Sequence, residues 1–178
     1  LIAGLALDEF VLIVPANSPH RTVRDLIEAA RRSPKNVKVG GSSAPSIDSI
    51  ITHLVEKATG VQFNFIAFKS GGEVMTNLLG SHIDVASANP GEGLTQIQAK
   101  KARVLAAASA KRLASLPDVP TLRESGIDVV ATQWRGVAAP KGLPKEAETA
   151  LVSAFKRLSD SKIWQETYLA ENNLTPHY

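Results

Sequence analysis

An α/β fold with a mostly parallel sheet flanked by helices is the class this sequence predicts, and three observations lead to it. Short apolar runs alternate with stretches of helical periodicity, and the joins between them are short and rich in Gly and Ser. The chain also has the means to bury a core: 178 residues, 44% of them hydrophobic and 21% charged, with no cysteine to staple anything. No apolar run approaches the ~20 residues of a membrane-spanning helix. The composition excludes a disordered chain, and no heptad pattern persists to suggest a coiled coil.

Residues 10–14 read as a strand closed by Pro15. Thr22 then opens a helix, with Asp25 completing a weak capping box and Val23, Leu26, Ile27 and Ala30 on one face; Pro34 ends it. Residues 37–39 form a brief strand that runs into Gly40-Gly41-Ser42-Ser43-Ala44-Pro45-Ser46. Ile47, Ile50, Ile51, Leu54, Val55 and Ala58 recur at helical spacing up to a C-capping Gly60. A strand at 63–68 leads through Lys69-Ser70-Gly71-Gly72 to a helix carrying Val74, Met75, Leu78 and Leu79, stopped at Gly80. A strand at 83–88, a helix past Asn89-Pro90-Gly91 and a strand at 103–108 follow, with each connection expected to be a right-handed crossover.

From Leu116 the texture changes. Residues 116–121 form a Pro-rich connection, 134–139 a strand, and 145–159 and 163–171 two helices, with nothing after Asn172 expected to close a sheet. Three parts are therefore expected: 1–19 as a second-lobe remnant and hinge, 20–132 as the ligand-binding α/β lobe, and 133–178 as a mostly helical return to the second lobe. The Leu1 start, without Met or a leader pattern, suggests the interior of a longer gene product.

Twenty Lys and Arg against 17 Asp and Glu leave a formal charge of +3, interspersed rather than blocked. With no zinc spacing and no basic arm, nucleic acid is not the expected partner. Arg31-Arg32 and Lys100-Lys101 fall where helices end and complement their dipoles. The four histidines have no ligand spacing, so no metal is expected. Nucleophile elbow, Walker and dinucleotide motifs are absent, so no catalytic residue and no cofactor is expected.

What remains is three strand-to-helix turns on one sheet edge: 40–46, 69–72 and 89–91. Open α/β sheets bind ligands beyond the carboxyl ends of their strands, and helix N-termini with free N–H groups hold anions. Ser42, Ser43, Ser46 and Ser70 add hydroxyls, and Lys69 adds a charge. The same residues also make ordinary tight turns and N-caps. Asp48, one turn into its helix, either repels an anion or orients a loop amide. Arg103, Arg112 and Arg135 are the arginines that would compete for a carboxylate.

The run from Val39 to Asp48, Gly-Gly-Ser-Ser-Ala-Pro-Ser-Ile between them, resembles the Gly/Ser-rich loop of the tripartite tricarboxylate transporter receptors, the Bug family. Phe68-Lys69-Ser70-Gly71-Gly72-Glu73 and Leu78-Leu79-Gly80-Ser81-His82-Ile83-Asp84 resemble further elements of that family. So do the stretches at 116–127, which begins Leu-Pro-Asp-Val-Pro-Thr-Leu, and at 134–140, Trp-Arg-Gly-Val-Ala-Ala-Pro. Ser49 stands where the family often has His, and Pro45 where Gly is common. The resemblance implies a periplasmic-binding-protein type II-like lobe plus part of a second. It implies a periplasmic Venus-flytrap receptor that captures a small di- or tricarboxylate and delivers it to transporter membrane subunits. The carried-over binding residues are Ser42, Ser43, Ala44, Ser46, Lys69, Ser70, Gly71, Gly72 and Asn89. Two readings from other classes share parts of this pattern: the ligand-sensing domain of a LysR-type regulator, and an enzyme using the same anion-binding turns.

Overall fold

The computed structural model describes residues 1–178. Along the chain run β1 (Ala3–Glu9), β2 (Val11–Pro15), α1 (Val23–Arg32), β3 (Lys38–Ser42), α2 (Ile47–Thr59), β4 (Asn64–Phe68), α3 (Gly71–Leu79), β5 (Val85–Ala88), α4 (Pro90–Gln98), β6 (Ala102–Ala107), β7 (Thr132–Val137), α5 (Lys145–Ser159), a π-helix (Ile163–Leu169) and β8 (Thr175–Pro176). They fall into two units: Glu9–Thr132, and Leu1–Asp8 together with Gln133–Tyr178.

Local chemistry sets the helix starts of the larger unit. Thr22 Oγ1 accepts the Asp25 N–H, while Asp25 Oδ2 accepts the Thr22 and Arg21 N–H groups at 2.9 and 2.8 Å, a complete capping box. Ser46, Ser70 and Asn89 cap α2, α3 and α4, and Pro90 takes the first position of α4, where no N–H is needed. Gly60 ends α2 in the left-handed region, φ 70°.

The five-stranded sheet has the order β4-β3-β5-β2-β6. β3 runs parallel to β4 and β5, while β2 is antiparallel to both β5 and β6. Four strands thus share a direction, with one reversed strand inserted among them. β2 belongs there because its side chains are apolar on both faces. Leu12 and Val14 join a core cluster with Leu26, Ile51, Val55 and Leu105; Val11 and Ile13 join the opposite cluster with Val74, Met75 and Leu78. The boundary expected at residue 19 accordingly moves back to Glu9, and the crossovers expected on both sides of β2 are replaced by antiparallel pairing. The Pro-rich connection is also part of this unit: Thr121 bridges Ala107 in parallel, and Leu122 is fully buried.

The smaller unit holds a three-stranded sheet, β7-β1-β8. Contrary to the expectation that nothing after Asn172 pairs, Leu7 lies opposite Thr175 and Ala6 opposite Pro176. The second terminal helix is a π-helix, on which Trp164 stacks against Tyr168 at 4.6 Å. Ala6, Leu169 and Leu174 form the buried cluster, and Arg135 is ion-paired to the nearly buried Asp8.

Two outcomes are expected of the larger unit. Leu26→Ala removes a side chain 1% exposed in the core; it should cost about 2–5 kcal/mol, read as a lower urea midpoint at unchanged slope. Asp25 and Glu124 are both held below the usual carboxylate range, chiefly by the backbone N–H groups of Thr22 and of Thr121. A depressed folded-state pKa gives stability that is present above the unfolded value and lost as pH falls through the folded one. Melting temperature should therefore fall on acidification below about pH 4, and Asp25→Asn with Glu124→Gln should flatten that fall.

Candidate functional site

β3, β4 and β5 end level with one another. Ser42 pairs with Phe68, and Gly40 pairs with Ala86, which puts Ala88 in the same row. The turns at 43–46, 69–70 and 89 therefore open on a single edge, and α2, α3 and α4 start from it. Eight of the nine sequence-derived residues lie on these turns or in the first turns of the helices, and the ninth, Ser42, is the last residue of β3.

The first turn is organised from beneath by Asp48. Its Oδ2 accepts the Ser42 N–H at 2.8 Å and the Ser42 hydroxyl at 2.9 Å. The carboxylate reaches them because Gly41 has no side chain; a Cβ there would stand 2.5 Å from Asp48 Cβ. Of the two roles open to Asp48, the structure gives it loop orientation. Beyond Ser42 the Ser43 N–H donates to Phe68 O at 2.8 Å, and Ser43 takes a positive φ of 65°. Ser46 is spent on the cap: its hydroxyl donates to Ser43 O and accepts from Ser49 N–H, while Ser49 Oγ takes the Ser46 N–H.

This sorts the candidates by what each has left to offer. The side chains of Ser42 and Ser46 shape the turn. The Ser43 hydroxyl, the Ala44 N–H and the Lys69 ammonium enter no hydrogen bond or ion pair within the chain, and Ser43, Ala44 and Lys69 are exposed. The Ile47 N–H, at the first position of α2, has no intrahelical partner. In the second turn Ser70 Oγ accepts from the Glu73 N–H, which leaves its proton to donate, and the Gly71 and Gly72 amides head α3. Glu73 Oε2 accepts the Lys69 N–H at 2.9 Å.

The third turn is more closed. Asn89 Oδ1 accepts from the Gly91 N–H at 2.7 Å and its amide donates to Glu9 O at 3.4 Å, while Glu92 N–H donates to Asn89 O. Pro90 has no N–H to give.

The three competing arginines are engaged elsewhere. Arg103 donates to the carbonyls of Ala16, Ser18 and His20. Arg112 binds Glu124 and the Pro117 carbonyl, and Arg135 binds Asp8. No group of three or more His, Cys, Asp and Glu is placed to hold a metal. The Glu92 carboxylate lies against the first turn of α3: a Cβ on Gly71 would stand 2.3 and 2.4 Å from its two oxygens. Only the Gly at 71 hinted at such an approach.

Asp48 accepts two hydrogen bonds from one buried position. Asp48→Ala should therefore destabilise the larger unit by about 2–3 kcal/mol, read by denaturant titration, with Asp48→Asn intermediate.

The profile of the tripartite tricarboxylate transporter family receptor (TctC) matches residues 1–178. The UPF0065 protein of the gbd 5' region of Cupriavidus necator is 33% identical over 177 residues, 99% of this chain and 54% of its own length. BugT of Bordetella pertussis is 29% identical over 147 residues, 82% of this chain and 45% of its own. Among solved structures, a TctC solute-binding protein from Polaromonas superposes with a TM-score of 0.81 at 30% identity, covering 99% of this chain and 60% of that one. The R. palustris protein Rpa4515, solved with adipate, gives 0.85 at 27% identity over 98% and 58%. The chain thus spans about half the length of these curated relatives, 54% and 45%. With the profile matched from Leu1 to Tyr178 and the same fold in these receptors, the chain belongs to the tripartite tricarboxylate transporter receptor family.

Proposed function

We propose that this chain carries one half of the ligand site of a periplasmic receptor that binds a small di- or tricarboxylate and delivers it to the membrane subunits of a tripartite tricarboxylate-type transporter. The observation that carries the reading is the row of uncommitted donors on the β3–β4 edge. Ser43 Oγ, Ala44 N–H, Ile47 N–H, Ser70 Oγ and Lys69 Nζ stand on adjacent strand ends, with the amino ends of α2 and α3 behind them. Hydrogen bonds from such donors to a carboxylate are charge-assisted, and the helix dipoles add to them. The adipate in Rpa4515 and the likeness to BugD, a periplasmic binding protein 25% identical, support the ligand class and the compartment. The work assigned to these residues is capture, not bond-breaking: they supply donors but no nucleophile paired with a base.

The test is a thermal-shift series on the protein expressed from its complete gene, against di-, tri- and aromatic carboxylic acids. An acid present at about a hundred times its dissociation constant should stabilise the protein by about 2.7 kcal/mol. Ser43→Ala and Ser70→Ala should each weaken that acid about 3- to 10-fold by calorimetry, since each removes one hydrogen bond. Unchanged affinity in both, with loss of binding in Arg135→Ala, would move the site away from this edge.

A further inference from the structure

We propose that β4 is a self-association edge: two copies of this chain join their five-stranded sheets by pairing β4 with β4, antiparallel, about a two-fold axis at Ile66. The inference does not depend on the carboxylate-binding reading above.

β4 is an outermost strand of its sheet, with β3 as its neighbour on one side and no strand on the other. The Asn64 N–H donates to Val37 O at 2.9 Å, and the Ser43 N–H donates to Phe68 O at 2.8 Å. In a parallel ladder alternate residues face the neighbouring strand. Asn64, Ile66 and Phe68 therefore face β3, while Phe63, Phe65, Ala67 and Lys69 turn their backbone groups outward. The chain closes both ends of that outer row itself. The Phe63 N–H donates to Glu56 Oε1 at 2.7 Å, and the Lys69 N–H donates to Glu73 Oε2 at 2.9 Å. Between them, the N–H groups of Phe65 and Ala67 find no acceptor in the chain.

The opposite outermost strand is treated differently. β6 carries Arg103, shifts register against β2, and is bridged at Ala107 by Thr121. Charges, bulges and covering segments are the devices that blunt a sheet edge. β4 reads Asn-Phe-Ile-Ala-Phe and keeps a regular register, with no charge and no Pro.

An open row of this kind is its own complement. Antiparallel pairing centred on Ile66 sets Phe65 of each copy opposite Ala67 of the other, and each such pair exchanges both of its backbone hydrogen bonds. The side chains agree with this register: the large, half-buried Phe65 meets the small, exposed Ala67, and Ile66 meets itself. So do the charges. The same register sets Lys69 of one copy opposite Phe63 of the other, whose N–H holds the Glu56 carboxylate. That carboxylate is partly exposed, with its second oxygen 3.6 Å from His53 Nδ1, and the Lys69 ammonium has no partner in its own chain. Each end of the pairing thus brings a free cation to a carboxylate. Lys69 is the one residue of the candidate site that the pairing uses.

The experiment is sedimentation velocity on the protein expressed from its complete gene, without added ligand, from about 5 to about 500 µM, the regime of small, transient interfaces. Wild type should pass from monomer to dimer across that range. Ala67→Pro removes an outward N–H and no bond to β3, a position where an edge strand accepts Pro. Because symmetry deletes the bond twice, the dimer should weaken at least about tenfold. Ala67→Lys places a charge on the edge and should weaken the dimer likewise; it decides the matter should Ala67→Pro fail to fold. Glu56→Gln keeps the acceptor for Phe63 and removes the charge, and should weaken the dimer about threefold at low salt and little at high salt. A monomer at every concentration, or a dimer that folded position-67 variants leave intact, overturns the proposal.

Discussion

A buried carboxylate has to be answered by donors, and in the larger unit the answer to Asp48 fixes the geometry of the turn at the end of β3. Asp48 is 1% exposed and receives both the amide and the hydroxyl of Ser42. Removing such a group from water is costly without hydrogen bonds and close to neutral with them, so the side chain and the strand end specify one another. With Ser42 held, Ser43 is committed to Phe68 O and turned into the left-handed region, and its own hydroxyl is left facing out. The exposed Ser43 hydroxyl is thus placed by a buried acid one strand end away.

The three turns differ in how far each helix start satisfies itself. Each helix start has unpaired amides that something must satisfy. α4 satisfies its own through Asn89, α3 satisfies that of Glu73 through Ser70, and α2 turns its acid inward. The arginines, which as full charges would dominate any anion site, are instead spent on carbonyls and carboxylates of the scaffold. The donors of the β3–β4 edge that stay uncommitted are therefore neutral hydroxyls and amides together with the exposed Lys69.

Much of this was legible in the sequence, and the pattern of what was not is instructive. Thr22 with Asp25, Ser46, Gly60 and Pro90 act within four or five residues of themselves, so their roles could be read directly from spacing. The placement of the three turns on one edge followed from the alternation of strands and helices. Strand partners were not legible: β2 pairs with residues more than seventy positions away, and the short β8 has no periodicity of its own. The π-helix at Ile163–Leu169 likewise shares the apolar spacing of an α-helix. Within the site, residue types announced hydroxyls and amides, but not which were already engaged. Ser42 and Ser43 are neighbours of identical chemistry, and only the side chain of Asp48 separates their fates.

The reversed strand also has a bearing on how the larger unit is assembled during synthesis. β2 is the first of its five strands to emerge and ends up one place in from the edge, with β5 on one side and β6 on the other. Until residues near 107 have left the ribosome, its fully apolar segment from Val11 to Val14 has an unpaired edge. Such late, long-range closure slows folding and leaves an intermediate that is prone to associate with other chains.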